Sequence, residues 1–139
     1  MQALLYVSQA TVRPRPETVD AIVATAQRVN PTLGLTGVLL WSDVHFAQLL
    51  EGPADALDLM YARLAQDPRH RDLALLGRWA IAERLFSDWS MRSRPLAPRS
   101  HWPLLERAVE RPGADALGWV LHLMADLRRP SRRGRGIPA

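Results

Sequence analysis

The hydrophobic pattern of the sequence changes its period several times, and these changes constrain the fold more than any other feature. Residues 2–8 form a short apolar run that is typical of a buried strand. From Glu17 onward the period becomes that of an amphipathic helix, with apolar residues at Val19, Ile22, Val23, Ala26 and Val29. The pair Asn30-Pro31 predicts the end of this helix, because the residue before a proline avoids the helical conformation.

The same succession of strand and helix patterns follows farther along the chain. Residues 35–41 and 44–50 predict two strands joined by a tight turn at Ser42 and Asp43. After Pro53 a second helix is indicated by an apolar stripe, which consists of Leu57, Met60, Tyr61 and Leu64. Residues 73–81 predict another strand and residues 87–92 a shorter one. The order β-α-β-β-α-β-β predicts an α+β fold of the ferredoxin-like type, a mixed sheet with both helices on one face.

The character of the sequence changes after Pro98. Residues 102–110 and 114–127 predict two helices, and the second has a clear apolar stripe. We expect these helices to cover the free face of the sheet. Residues 128–139 contain five arginines among Pro, Ser and Gly, which predicts a disordered tail. The predicted organisation is therefore a sheet domain over residues 1–95, a helical extension over residues 96–127, and the tail.

The composition argues against several classes of function. The absence of cysteine excludes disulfides, thiol catalysis and thiolate metal sites. Four scattered histidines give no reason to expect a metal site. No apolar run approaches the roughly 20 residues needed to span a bilayer, and the N-terminus lacks the pattern of a signal peptide. We therefore expect a cytoplasmic protein without a membrane segment.

The usual catalytic patterns are also missing from the sequence. There is no glycine-rich phosphate loop and no nucleophile turn with its partners. Glu51 and Asp55 could pair as acid and base, although acids at the start of a helix are usually capping groups. A small hydrolase on the same fold would need a phosphate-cradling loop after the first strand, and none is visible. We predict that the chain is not an enzyme.

Two polar residues are expected on strand faces that are otherwise apolar. Alternation places Tyr6 on one face with Leu4, and it places Gln48 among Val44, Phe46 and Leu50. A buried amide without a partner costs roughly 1–3 kcal/mol, so something polar must meet Gln48. The pattern alone leaves two interpretations open, a hydrogen bond within the core or a contact with a bound ligand.

Five segments of the sequence together resemble the BLUF family of blue-light sensors that use FAD. They are LLYVS at residues 4–8, NPTLGLTGVLL at 30–40, FAQLLEG at 46–52, DPRHR at 67–71 and FSDWSM at 86–91. Each motif is short, but five in the family's order and spacing across residues 1–95 are specific. The resemblance implies a flavin-binding photosensory domain with FAD held between the two helices of a ferredoxin-like sheet, in agreement with the predicted order of elements.

The resemblance also implies roles for individual residues. Tyr6 and Gln48 would be the photoactive pair, with the Gln48 amide between the phenol and the N5/O4 edge of the flavin. Asn30 would hold the carbonyl edge of the flavin. The other implied cofactor contacts are Ile22 and Leu64 on either side of the ring, Phe46 nearby, and Arg69 and His70 toward the ribityl phosphate. Ala26 departs from the family, which often has a serine there, and we expect this change to retune hydrogen bonding.

Signalling is expected to follow from the chemistry of these side chains. The Tyr6 phenol can give an electron and a proton to an excited flavin, and the Gln48 amide can then settle rotated or tautomerised. A stronger hydrogen bond at flavin O4 would shift the absorption to the red. The resemblance assigns Trp89 and Met91, on the expected last strand, to passing on this change. Output would go to a second copy of the chain or to a separate protein.

Two matters stay open at the level of the sequence. FMN or riboflavin could replace FAD in the predicted site. An alternative function, binding to nucleic acid, rests on the net charge of +4 and on the arginine-rich tail.

Overall fold

The computed structural model of the protein describes residues 1–96 and 101–128. Its strands are β1 (Gln2–Ala10), β2 (Thr36–Trp41), β3 (His45–Gly52), β4 (His70–Ala80) and β5 (Arg92–Pro95). Its helices are α1 (Pro16–Leu33), α2 (Ala54–Ala65), α3 (Trp102–Glu110) and α4 (Ala114–Arg128). The predicted α+β class and ferredoxin-like order are confirmed.

The five strands form one sheet in the order β4-β1-β3-β2-β5. The strand β3 lies between β1 and β2 and is antiparallel to both, whereas β5 pairs with β2 in the parallel direction. This arrangement is the split β-α-β of ferredoxin-like folds with one additional edge strand. Every residue of the central strand β3 is buried, so its two rows of alternating side chains reach into both layers that cover the sheet.

The sheet separates two cores, as the sequence predicted. On one face the helices α1 and α2 cover a cluster that includes Leu4, Tyr6 and Phe46. On the other face α3 and α4 cover a cluster that includes Leu5, Val7 and Leu49. Among the described helices, none is long and apolar enough to cross a membrane.

The predicted end of the first helix at Asn30-Pro31 is wrong by one turn, because α1 continues through Pro31 to Leu33. Gly34 then ends the helix in the left-handed conformation, with φ of 71°. The amide of Gly34 donates to Pro31 O and that of Leu35 donates to Asn30 O, a Schellman cap that satisfies the last carbonyls. This cap stabilises the final turn although Pro31 has no amide hydrogen to contribute.

Two strand boundaries also differ from the prediction. Val44 lies in the turn before β3 and is 44% exposed, and in this turn Ser42 Oγ accepts hydrogen bonds from the amides of Val44 and His45. The strand β4 begins at His70, three residues earlier than expected. Its pairing with β1 is irregular beside Tyr6, where Leu5 pairs with Gly77 and Tyr6 with Leu75. Such bulges re-aim side chains locally, and they are common beside functional sites.

The predicted strand over residues 87–92 is the largest error. The last strand is Arg92–Pro95, so Trp89 and Met91 lie in the loop that precedes it. Residues two apart on a strand face the same side, but Trp89 belongs to the core under α3 and α4, whereas Met91 belongs to the core under α1 and α2. The loop therefore passes around the edge of β2 and contributes to both layers.

Candidate functional site

A cleft of about 230 Å³ opens between α1 and α2 above the sheet. All residues predicted to be photoactive or to bind the cofactor line this one cleft: Tyr6, Ile22, Asn30, Phe46, Gln48, Leu64, Arg69 and His70. They come from β1, β3, both helices and the start of β4, so the fold brings together residues that are up to 64 positions apart in the sequence.

The base of the cleft contains Tyr6 and Gln48, which are directly opposite each other on the antiparallel strands β1 and β3. The Tyr6 hydroxyl donates a hydrogen bond of 2.5 Å to Gln48 Oε1. Tyr6 is 2% exposed and Gln48 is 6% exposed. Burial, together with the Asp67 carboxylate, raises the pKa of the Tyr6 phenol well above its ordinary value. The phenol therefore stays protonated, with its proton already directed at the amide.

The two interpretations of this pair are both realised, since the residues bond each other and also line an open cleft. Because Gln48 Oε1 is occupied by Tyr6, its Nε2 points the other way, 3.7 Å from Met91 Sδ. The thioether sulfur is a weak acceptor. One end of the amide thus has a strong partner and the other a weak one, so the hydrogen bond from Tyr6 is the main contact that sets the orientation of the amide.

The second buried amide in the cleft, that of Asn30, connects the site to the loop after β4. Asn30 is 1% exposed, and its Nδ2 donates to Ser90 O at 2.7 Å. On the same helix, Gln27 Nε2 donates to Met91 O at 3.0 Å. Helix α1 therefore holds the backbone on either side of the Met91 side chain that contacts Gln48.

The side walls of the cleft are apolar and face each other across the gap. Ile22 on α1 and Leu64 on α2 supply them, as predicted, and Phe46 on β3 lies between the helices. Ala26, the departure from the family pattern, also lines the cleft. A serine hydroxyl at that position would face the cleft, whereas the methyl group of Ala26 presents no donor there.

Charged groups lie at the edge of the cleft where α2 ends. Asp67 accepts hydrogen bonds from Arg69, with Nη2 to Oδ2 at 2.6 Å, and this pairing lowers the pKa of the Asp67 carboxyl. Arg63, in the last turn of α2, also lines the cleft. Sequence reasoning missed Arg63, although its place one residue before Leu64 on the predicted helix could have indicated it.

His70 links three elements at the same edge. Its Nδ1 is 2.7 Å from Ser8 Oγ on β1, and its Nε2 is 2.5 Å from the Leu64 carbonyl oxygen at the end of α2. Since Nε2 must donate to the carbonyl, a neutral ring accepts from Ser8 through Nδ1. Its ring also contacts Tyr6 edge-on, with centroids 6.0 Å apart. Both nitrogens are engaged within the protein, so His70 shapes the end of α2 beside the phenol.

Trp89 does not line the cleft. Its ring is buried on the opposite side of the sheet, where it contacts the Phe86 ring with centroids 4.9 Å apart. The guanidinium groups of Arg92 and Arg94 lie 4.8 and 5.5 Å from its centroid. Trp89 therefore couples the loop to strand β5, which carries both arginines.

Glu51 was expected to be a helix-start acid, and that interpretation is wrong. It is the seventh residue of β3, it is 1% exposed, and its carboxylate accepts hydrogen bonds from the amides of Leu85 and Phe86. Asp55 lies in the first turn of α2, where its Oδ1 accepts a hydrogen bond from the amide of Ala56, but the residue at the cap position is Pro53. Glu51 and Asp55 thus form no acid-base pair in the site.

The residues of the cleft fit part of a flavin. Two apolar walls accept a flat ring, and the Gln48 and Asn30 amides offer hydrogen-bonding groups to a heteroatom edge. The volume is below the range of about 300–1,000 Å³ that encloses a whole ligand of that size. The ring would therefore lie inside and the phosphates outside, toward Arg63 and Arg69. Within the described ranges, no group of His, Asp and Glu is arranged to hold a metal ion.

Comparison with known proteins agrees with this geometry. The sequence model described as BLUF, sensors of blue-light using FAD, matches residues 1–92. The beta subunit of the photoactivated adenylate cyclase of Euglena longa is 39% identical over 112 residues, which are 80% of this chain but only 13% of that protein. The chain thus spans a small part of the curated cyclases that it matches.

Two solved structures show the same fold. The dark-state structure of BlrB, a BLUF protein, superimposes with a TM-score of 0.72 at 31% identity, covering 91% of this chain and 96% of that one. A structure of BlrP1 from Klebsiella pneumoniae with FMN and cyclic diGMP gives a TM-score of 0.65 at 31% identity, covering 79% of this chain and 34% of that one. Together with the match to the family model, these likenesses establish that the chain belongs to the BLUF family, the sensors of blue light using FAD.

Proposed function

We propose that this blue-light sensor reads its FAD through Tyr6 and Gln48 and transmits the result through the loop that carries Met91 and Trp89. The observation that carries the proposal is the 2.5 Å hydrogen bond from the Tyr6 hydroxyl to Gln48 Oε1 at the base of the cleft. This bond connects an oxidisable side chain to an amide that can reverse its orientation, in the part of the cleft where the flavin ring would lie.

The first step concerns the proton of Tyr6. A bound oxidised flavin supplies, after absorbing blue light, a strong acceptor for one electron. Burial disfavours the phenolate and raises the pKa of Tyr6, so the phenol gives up its electron and its proton together. The proton has a path of one hydrogen bond, to Gln48 Oε1.

The second step concerns the Gln48 amide. Protonation at Oε1 removes the acceptor that held the amide in its resting orientation, while Nε2 is held only by the weak contact with Met91 Sδ. The amide is then free to rotate or to tautomerise, and the electron and the proton return to Tyr6, which restores the phenol. A donor newly directed at the carbonyl edge of the ring would shift its absorption to the red and would change the contact with Met91.

The third step passes through the loop before β5. Met91 contacts Gln48 on the cleft face, and two residues earlier Trp89 is held on the other face by Phe86, Arg92 and Arg94. A displacement of Met91 would therefore also displace Trp89 in the core under α3 and α4. These helices would pass it to a second copy of the chain or to a separate protein, and the described residues would act as a sensor without a catalytic centre of their own.

Absorption spectra of four proteins test this proposal. The wild-type protein, purified with FAD, should be yellow and should shift reversibly to the red in blue light. Gln48→Ala and Tyr6→Phe should bind FAD and lose the shift, whereas the control Tyr61→Phe, on a ring 6.4 Å from that of Tyr6, should keep it. A normal shift in Gln48→Ala would refute the assignment of the amide.

The alternative of nucleic-acid binding rests on the arginine-rich tail, of which residues 129–139 lie outside the described residues. No observation on the fold or the cleft favours it. A cytoplasmic location and the assembly of the chain into oligomers stay predictions from the sequence.

A further inference from the structure

The buried carboxylate of Glu51 lies outside the cleft and holds the loop between β4 and β5. Its Oε2 accepts a hydrogen bond of 2.6 Å from the amide of Leu85, and its Oε1 accepts one of 2.9 Å from the amide of Phe86. Glu51 points to the face covered by α3 and α4, opposite to its neighbour Leu50. Hydrogen bonds to a charged acceptor are stronger than neutral ones, so this contact fixes the loop more firmly than a pair of backbone bonds would.

Arg84 and Thr36 complete the attachment. The Arg84 guanidinium donates to Thr36 Oγ1 at 3.0 Å, and the Thr36 hydroxyl donates to Glu51 Oε1 at 3.2 Å. This direction follows because a guanidinium only donates and a carboxylate only accepts. Arg84 also donates to the carbonyl oxygens of Glu51 and Gly34 at 3.0 and 2.8 Å. Residues 84–86 are thus tied at once to β2, to β3 and to the C-terminal cap of α1.

The other end of the loop is held by hydrogen bonds to its backbone carbonyls and by the Arg92 and Arg94 guanidinium groups, which lie over the Trp89 ring. Trp89 O accepts a hydrogen bond from the Gly37 amide at 2.9 Å, while Ser90 O and Met91 O accept from Asn30 and Gln27. Only three residues separate Phe86 from Ser90, so the position of Met91 depends on where residues 84–86 are fixed. The segment that touches Gln48 therefore lies between the Glu51 carboxylate, which holds residues 85 and 86, and the hydrogen bonds that hold the carbonyls of residues 89–91.

We propose that Glu51 is a positioning residue for the light response, because its carboxylate fixes residues 85 and 86 and so sets the resting contact of Met91 with Gln48. This inference rests on the proposed function, since it concerns how long the rearranged Gln48 amide persists. Glu51 itself touches neither the cleft nor the photoactive pair. Its loss should leave flavin binding and the size of the red shift unchanged, and it should alter the rate at which the dark state returns.

The test compares Glu51→Gln with wild-type protein, both loaded with FAD. Glutamine keeps the size of the side chain but replaces one acceptor oxygen by a donor that faces an amide hydrogen. In the dark, hydrogen exchange at the amides of Leu85 and Phe86, measured by NMR, should become roughly tenfold faster or more. After illumination, recovery of the dark spectrum should change by about threefold or more at an unchanged red shift. The matched control is Glu83→Gln, which removes an exposed acid from the same loop.

The possible results separate the inference from the proposed function. Unchanged exchange at Leu85 and Phe86 would overturn the anchor, and faster exchange with an unchanged recovery rate would overturn its role in positioning. The exchange measurement is made in the dark, so it decides the anchor even if wild-type protein shows no red shift, a result that would refute the proposed function. Should Glu51→Gln fail to fold, Thr36→Val removes the hydroxyl that links Arg84 to Glu51 and leaves the Glu51 carboxylate in place. A smaller change of both rates in the same direction would then support the proposal, and two unchanged rates would contradict it.

Discussion

The two faces of the sheet are built from alternate residues of the same strands, yet they differ in what they bury. On β3, Ala47 and Leu49 face α3 and α4 in a cluster of apolar side chains. Their neighbours Phe46 and Gln48 face α1 and α2, where the core contains a phenol and two amides and is interrupted by the cleft. A single step along the strand thus changes the environment from a closely packed core to a binding site.

This difference indicates how the molecule divides its tasks. None of the residues that line the cleft belongs to the cluster under α3 and α4. The buried apolar side chains of that cluster contribute stability in proportion to the area they remove from water. The face under α1 and α2 leaves apolar surface open between the helices, and a ligand can cover it. We therefore expect substitutions on the first face to change stability and those on the second to change flavin affinity.

The largest expected effect is on the packed face. Leu105 in α3 is fully buried, and Leu105→Ala should lower the free energy of unfolding by about 2–5 kcal/mol, because it removes apolar contacts and leaves a cavity. Urea denaturation of the flavin-free protein measures this change. The control Leu59→Ala, on a residue of α2 that is 44% exposed, should change it by less than about 0.5 kcal/mol. Equal losses in the two variants would contradict the comparison.

The cleft face should respond in the opposite way. Ile22→Ala removes part of one wall, so it should raise the dissociation constant of FAD about tenfold. The free energy of unfolding of the flavin-free protein should change by less than about 1 kcal/mol, because Ile22 is only half-buried without the ligand. Fluorescence titration with FAD gives the affinity, with Val12→Ala, at a residue that is 76% exposed, as control. A large loss of stability at unchanged affinity would show that this wall is ordinary core.

A smaller and stabilising effect is expected in α4. Gly118 lies inside this helix, and a Cβ added there would meet nothing within 4 Å. Gly118→Ala should raise the free energy of unfolding by roughly 0.5–1 kcal/mol, because alanine loses less conformational entropy in a helix. FAD affinity should stay the same, since α4 covers the other face. Thermal unfolding and the same titration check both statements, and weaker FAD binding would show that the two faces are coupled.

The smallest effect concerns pH. His45 on β3 faces the α3 layer, and burial lowers the pKa of its imidazole, with Glu106 and Glu110 partly opposing the shift. The unfolded chain then binds the proton more readily, so stability from this group is present above about pH 6.5 and is lost as the pH falls below it. Urea midpoints at about pH 7.5 and about pH 5.5 should differ less in His45→Gln than in wild type. His122→Gln, on an exposed residue of α4, should keep the wild-type difference.

Much of the fold and most of the cleft could be predicted from the sequence. Period-2 and period-3.6 patterns gave the inward faces of β1, β3, α1 and α2, whereas the resemblance to the BLUF family supplied most of the residues that line the cleft. The loop over residues 81–91 could not be predicted, because its residues are held by tertiary contacts rather than by a repeating pattern. Glu51 was misread for the same reason, since its partners Leu85 and Phe86 lie 34 and 35 residues later in the chain.

The pairing of Tyr6 with Gln48 across adjacent strands has a consequence for engineering. In an antiparallel ladder, the Cα atoms of directly opposed residues are held about 4.5–5.5 Å apart by the backbone on both sides. Changes in the helices and in the loops should therefore leave the spacing of these two side chains the same. Substitutions in the wall residues of α1 and α2 should accordingly change the absorption maximum and the lifetime of the light-adapted state while the pairing of Tyr6 with Gln48 stays the same.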